Sequence, residues 1–247
     1  MQKKQTFITS DNLTLESFNA NILYEDNHLL AVFKPAGMLT QGDRSKRVSL
    51  LDLGKEWLRV QYNKPGKAFL GLMHRLDRPV SGVVLFAKTS KAAGRLSAQF
   101  RSRTITKIYL AVIHGHVTPP QGDSILYLVR DGSRSSVATS SHPKAQRAEL
   151  SYQTLQKGDE TSLVRIVLAT GRRHQIRAQL ASLGHPIVGD RKYGSDIVLE
   201  GNAIALQAHC LTFLHPITKE EVYLEAPMPE EWPWSKFRCP SLWILLT

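Results

Sequence analysis

Cysteine is scarce in this chain. Cys210 and Cys239 are the only two in 247 residues, and they form no CxxC pair. That excludes a disulfide-stapled secreted scaffold and suits a reducing cytosol, with each cysteine a small buried or surface residue. There is no HExxH and no cysteine cluster, so no metal site is expected. No apolar run approaches the roughly 20 residues that cross a bilayer. The opening, MQKKQTFITSDNLTLESFNA, lacks an apolar stretch of signal-peptide length. A cytoplasmic protein that stays off the membrane is expected. Internal repeats and low-complexity linkers are also missing.

What is present describes a globular protein with a partner of opposite charge. Hydrophobic residues make up 42% and charged residues 21%, enough for one large domain or two small ones around a real core. The 32 basic and 21 acidic residues leave a formal charge of +11 and a pI near 9.8. Such an excess points to a polyanion: RNA, DNA or an anionic membrane. The charge is uneven. Residues 91–147 hold nine Lys and Arg against Asp123 and Asp131, whereas 219–231 is acidic, with five glutamates against Lys219. A localised basic field fits a nucleic-acid footprint better than general solubility.

Periodicity and punctuation give the elements. HLLAVFK (28–34) reads as a buried strand stopped by Pro35 and Gly37, and VVLFAK (83–88) as another. Residues 48–61 read as a helix, anchored by Leu50, Leu51, Leu53, Trp57 and Leu58. A second helix starts at a Thr89 or Ser90 cap, with Ala93, Leu96 and Phe100 on one stripe. Strands are expected at 107–115, 148–156, 162–170, 205–216 and 221–227, the third paired with the second through KGDE (157–160). Residues 117–146, rich in Pro, Gly, Ser and Asp, read as an elaborated loop or hairpin. A helix from about Arg172 to Leu183, stopped by Gly184, is expected to bury Ile176, Leu180 and Leu183. Residues 1–20 read as a loosely held arm, 21–230 as the main domain and 231–247 as a tail. Strands and helices mix without a βαβ rhythm, which indicates α+β with a mixed, largely antiparallel sheet and flanking helices.

Three places carry candidate chemistry. In MHRLDRPVSG (73–82), Asp77 stands between Arg75 and Arg78, whose charges favour an ionised carboxylate. It can serve as nucleophile or base, or simply as a turn residue ahead of Pro79. In ATGRRHQIR (169–177), Arg172, Arg173, His174 and Arg177 surround a helix start, a ready phosphate site or a solvated basic face. Tyr109, in KIYLAV, reads alone as a core residue with its hydroxyl at the rim.

Together these segments resemble the RluA-type pseudouridine synthases. HRLDRPVSG (74–82) resembles the family's catalytic HRLDxxTSG motif and places Asp77 on its essential aspartate. ILYEDNHLLAVFKPAG (22–37) resembles the opening strand and KPxG turn. KIYLAVIHG (107–115) places Tyr109 on the active-site tyrosine. TGRRHQIRAQLASLGHPIVGDRKYG (170–194) places Arg177 on the aspartate's basic partner, and AHCLTFLHP (208–216) resembles the closing motif. The resemblance runs over about 22–228. It departs at Val80, where Thr is usual, and at Gln179, where His is usual; neither carries the core chemistry. Family members often carry a small extra RNA-binding domain before the catalytic one, and that domain is expected to be absent here.

The resemblance implies the pseudouridine synthase fold with a central basic cleft and a cofactor-free isomerisation of uridine in ribosomal or transfer RNA. Asp77 would be the catalytic carboxylate, Arg177 its orienting cation, and Tyr109 a stacking and proton-passing group. His74, Arg75, Arg101, Arg103, Lys107, Arg172, Arg173 and His174 would bind RNA, the target base would flip out of its stack, and the enzyme would act as a monomer. A catalytically silent RNA-binding protein on the same fold is the alternative, which the intact Asp77, Tyr109 and Arg177 oppose. An aspartate-dependent nucleosidase, which would release free uracil, is opposed by the motif order.

Overall fold

The computed structural model describes residues 14–238. In chain order it contains α1 (Leu15–Ala20), β1 (Ile22–Glu25), β2 (Leu29–Lys34), α2 (Leu50–Gln61), β3 (Gly71–Leu72), β4 (Ser81–Ala87), α3 (Ser90–Ser102) and β5 (Thr106–His114). There follow β6 (Gln121–Asp131), β7 (Arg134–Ala138), β8 (Gln146–Lys157), β9 (Thr161–Leu168), α4 (Gln175–Ser182), β10 (Leu206–Leu214) and β11 (Glu221–Glu225). The chain divides into two compact units. One holds the described part of Met1–Ile105 together with Cys210–Ala226; the other holds Thr106–His209 and the described part of Pro227–Thr247.

In the first unit, β2 pairs antiparallel with β1 and β4, and β3 pairs with β4. Both central strands are buried along their whole length, which is why they read as unbroken apolar runs and not as alternations. Leu29, Ala31 and Phe33 of β2 and Val83, Leu85 and Ala87 of β4 point one way. They meet Ala92 and Leu96 of α3 and Leu211, Phe213 and Leu224, contributed by β10 and β11, whose antiparallel pairing runs from Cys210↔Glu225 to Leu214↔Glu221. Burying a Leu or Phe side chain in such a cluster contributes about 1.5–3 kcal/mol relative to exposure. α3 starts where Thr89 caps it, its hydroxyl accepting from Ala92 N–H at 3.2 Å. Gly54 sits inside α2, where glycine is a poor helix former. A Cβ there would lie 2.7 Å from Leu70 and 3.3 Å from the Phe18 ring, so the glycine lets α1 and residue 70 approach.

In the second unit the strand order β5-β9-β8-β6-β7 is antiparallel throughout. β8 and β9 form the hairpin expected through KGDE. Residues 117–146 are more ordered than the loop alternative in their reading: most of them form the β6–β7 hairpin and the start of β8.

Three other expectations change. Within the arm, residues 15–20 are helical and Phe18 is fully buried, packed 5.9 Å from the Trp57 ring. α4 begins at Gln175 and not near Arg172, because His174 adopts a left-handed backbone that the helix cannot include. Leu183 is 39% exposed, whereas Gln175, Arg177 and Gln179 are buried with Ile176 and Leu180. α4 is thus enclosed all round from Gln175 to Leu180 and is not a one-sided amphipathic helix. Of the expected tail, Trp234 and Phe237 are buried. Residues 1–13 and 239–247, Cys239 among them, lie outside the described residues.

Candidate active site

Asp77 sits half-buried in the turn that leads into β4. The residues on either side of it are held by the segment that follows β2. On the near side, the Thr40 hydroxyl donates to the Leu76 carbonyl at 2.8 Å and accepts from the Leu76 N–H at 3.2 Å. On the far side, the Arg78 carbonyl accepts from Gly37 N–H at 2.8 Å and from the Lys34 ammonium at 3.2 Å, while Arg78 Nε donates to the Gly37 carbonyl at 2.8 Å. Gly37 has φ +85°, a left-handed conformation that favours glycine, which accounts for the last position of KPAG. Val80 N–H closes the turn on the Asp77 carbonyl at 3.1 Å.

Lys34 is fully buried at the end of β2. Its ammonium also donates to the carbonyls of Pro35 and Met38, each at 2.9 Å. Burial pushes its pKa down from the usual lysine range to about 7; the Asp77 carboxylate pulls it back up and Arg78 adds to the depression. Sequence reasoning singles out neither Lys34 nor Thr40 as a functional residue. A lysine closing an all-apolar strand, LLAVFK, is the signal that could find the first. His74 braces the same turn: its Nε2 accepts from Leu85 N–H at 3.2 Å, and its ring lies 5.5 Å from that of Phe100.

Arg177, Tyr109 and the basic candidates from Lys107 to His174 belong to the second unit. Arg177 lies in the first turn of α4 and is 5% exposed. Its Nε and one terminal nitrogen form a fork onto Asp190, at 2.6 and 2.8 Å. The acid's side chain is 1% exposed, so a buried guanidinium is matched by a buried carboxylate. From sequence, Asp190 reads only as part of the HPIVGD turn. The Tyr193 ring lies 5.0 Å from the Arg177 guanidinium carbon and 5.2 Å from that of Arg134, within cation–π range of both. The Tyr193 hydroxyl accepts from Ser135 N–H at 2.8 Å and lies 2.9 Å from His174 Nδ1. Burial, the largest influence, raises the phenol pKa, so it stays protonated. Tyr109 is half-buried on β5, opposite Ile166 of β9.

The basic candidates divide by what they hold. Arg173 donates to the carbonyls of Gly132 and Ser133, each at 3.1 Å, and Arg172 Nε donates to the Arg147 carbonyl at 3.0 Å. Both side chains brace the β6–β7–β8 region. Arg173, which precedes α4, is exposed, whereas Arg177 within it is buried. Half-buried Lys107 reaches Gly171, where an added Cβ would lie 3.9 Å from its ammonium. Arg75, Arg101 and Arg103 are exposed. The two departures from the family motif are structural: Val80 is buried, and Gln179 donates to the carbonyl and hydroxyl of Ser124, each at 2.9 Å.

Comparison with known proteins places the chain in a family. The model of the family described as RNA pseudouridylate synthase matches residues 28–182, a span that contains Asp77, Tyr109 and Arg177. The chain is 35% identical over 232 residues to tRNA pseudouridine synthase C of Haemophilus ducreyi, covering 86% of this chain and 92% of that protein. It is 33% identical over 201 residues to the dual-specificity RNA pseudouridine synthase RluA of Vibrio vulnificus, covering 79% and 78%. The solved structure of human RNA Pseudouridylate Synthase Domain Containing 1 superposes with a TM-score of 0.73 at 25% identity, over 96% of each chain. Matched over most of its length in sequence and in fold, the chain belongs to the RNA pseudouridylate synthase family and is an isomerase.

Proposed function

We propose that the protein converts uridine to pseudouridine in ribosomal or transfer RNA, with Asp77 as the catalytic carboxylate. The relatives named for transfer RNA and for dual specificity support this substrate class. The net reaction exchanges the N1–C1′ bond for a C5–C1′ bond and moves one proton from C5 to N1. Atoms and electrons balance within the nucleoside, so the chemistry calls for no redox cofactor. A carboxylate can attack the sugar or the ring, or stabilise charge while the base turns. In this proposal Arg177, already aligned by Asp190, is the cation that orients Asp77. Tyr109 stacks on the flipped base and passes a proton. Arg75, Arg101, Arg103, Lys107, Arg172, Arg173 and His174 contribute to RNA binding, and His74 acts through the turn it braces. The enzyme would work in the cytoplasm as a monomer. Among the described residues no helix is long and apolar enough to cross a membrane.

The observation that carries the reading is the setting of Asp77: a half-buried carboxylate whose chain neighbours are both hydrogen-bonded in place. Such preorganisation is what charge-stabilising catalysis requires. The test uses transcripts of large-subunit ribosomal RNA and transfer RNA carrying tritium at uracil C5, which pseudouridine formation releases. Asp77→Asn should bind these transcripts within about threefold of the parent and release no tritium in single turnover. Turnover by this variant at even a hundredth of the parent rate removes Asp77 from its role.

A further inference from the structure

We propose that Thr40 is a positioning residue for Asp77, acting through the backbone of Leu76. This rests on the reading of Asp77 as the catalytic carboxylate. Thr40 is 4% exposed and Leu76 7%. One hydroxyl engages both peptide groups of Leu76, donating to its carbonyl and accepting from its N–H. A hydroxyl with both its proton and a lone pair directed at one residue leaves little rotational freedom at either end. Leu76 is the residue immediately before Asp77, so the bond pair fixes the point from which the carboxylate projects.

Thr40 is itself anchored from the other side. Its carbonyl accepts from Leu51 N–H at 3.1 Å, and the Leu39 carbonyl accepts from Leu50 N–H at 2.8 Å. These are among the first amides of α2, which no carbonyl inside the helix can satisfy. Ser49 and Asp52 close the same helix start with a reciprocal capping box. The link therefore runs from the rigid first turn of α2, through the Thr40 backbone and hydroxyl, to Leu76 and Asp77. With Lys34 and Gly37 holding Arg78, the carboxylate is fixed on both sides by residues 34–40. Catalysis is sensitive to such placement: an ångström of displacement can cost roughly a hundredfold in rate.

Three variants and one measurement on the parent test this, with the tritiated transcripts as probe. Thr40→Val keeps the shape and removes the hydroxyl. It should lower the single-turnover rate at saturating RNA by roughly tenfold to a hundredfold, leave RNA affinity within about twofold, and melt as one cooperative transition. Thr40→Ser keeps the hydroxyl and loses the methyl, and should restore the parent rate to within about threefold. A Thr40→Val rate within twofold of the parent overturns the proposal, as does a loss confined to affinity, or a Thr40→Ser rate as low as that of Thr40→Val. In the parent protein the Leu76 amide should exchange slowly with solvent. Rapid exchange there overturns the clamp even if Thr40→Val fails to fold. Turnover by Asp77→Asn at a hundredth of the parent rate or more would instead defeat the underlying assignment of Asp77, so the two failures are distinguishable.

Discussion

A single buried lysine sets a pH dependence that can be measured apart from catalysis. Lys34 has a pKa of about 7 in the folded protein and an ordinary value of 10.5 outside it. Between those values the unfolded chain binds a proton that the folded chain does not, so stability rises with pH across this window. Below about 7 both states are protonated and the folded protein carries the full cost of a buried ammonium. Within the window, raising the pH by one relieves at most about 1.4 kcal/mol of that cost. Lys34→Met removes the titrating group and the ammonium's bonds to the Pro35 and Met38 carbonyls, while the Arg78 carbonyl keeps the Gly37 N–H. Urea unfolding at pH 7 and pH 9.5 should show the parent gaining stability relative to Lys34→Met at the higher pH. Equal pH slopes in the two proteins would contradict the burial argument. Residue identities could suggest Asp77, Arg177 and Tyr109 because recognisable motifs surround them. They could not suggest Thr40 or Asp190, whose partners lie 36 and 13 residues away and meet only through tertiary structure.

The β6–β7 hairpin shows what pattern can and cannot reveal about elements. β2 and β4 are legible as unbroken apolar runs, and β8–β9 as two strands around a polar turn. Across β6 and β7 only Ser124, Leu128 and Ser135 are buried, so no apolar alternation marks them, and composition leaves loop and hairpin equally open. α4 misleads in the opposite way: its polar side chains are enclosed because each is bonded individually, as Gln175 is to Thr170, Arg172 and Glu149. Such bonds leave no trace in hydrophobic spacing. The hairpin tip is held by Arg173 on Gly132 and Ser133, and by Lys192 on the Ser133 carbonyl at 3.2 Å. Replacing both with alanine should raise amide exchange at residues 131–134 by at least tenfold, while amides of the β8–β9 ladder stay protected. A tip that exchanges as slowly as in the parent would show that the ladder alone holds it.

At the scale of the whole molecule, charge is expected to govern the encounter with RNA. Of the nine basic residues in 91–147, eight are exposed, Arg147 among them paired with Glu149 at 2.6 Å, and Lys107 is half-buried, so most of this charge is open to solvent. Each phosphate neutralised contributes roughly −0.9 to the slope of log K against log salt on duplex and roughly −0.7 on single strands. If four are engaged, binding to a transfer RNA transcript should show a slope of about −3 or steeper. Affinity that stays flat between low and moderate salt would exclude the electrostatic reading. The division of the chain has a further consequence, for synthesis. A ribosome delivers residue 1 first, yet Leu211, Phe213, Leu224 and Ala226, which complete the core shared with α3, emerge only after all of residues 106–209. The first unit therefore cannot complete its core until the second has been synthesised. During translation β2, β4 and α3 present an unfinished apolar face for over a hundred residues of elongation, the interval in which a nascent chain most depends on chaperones.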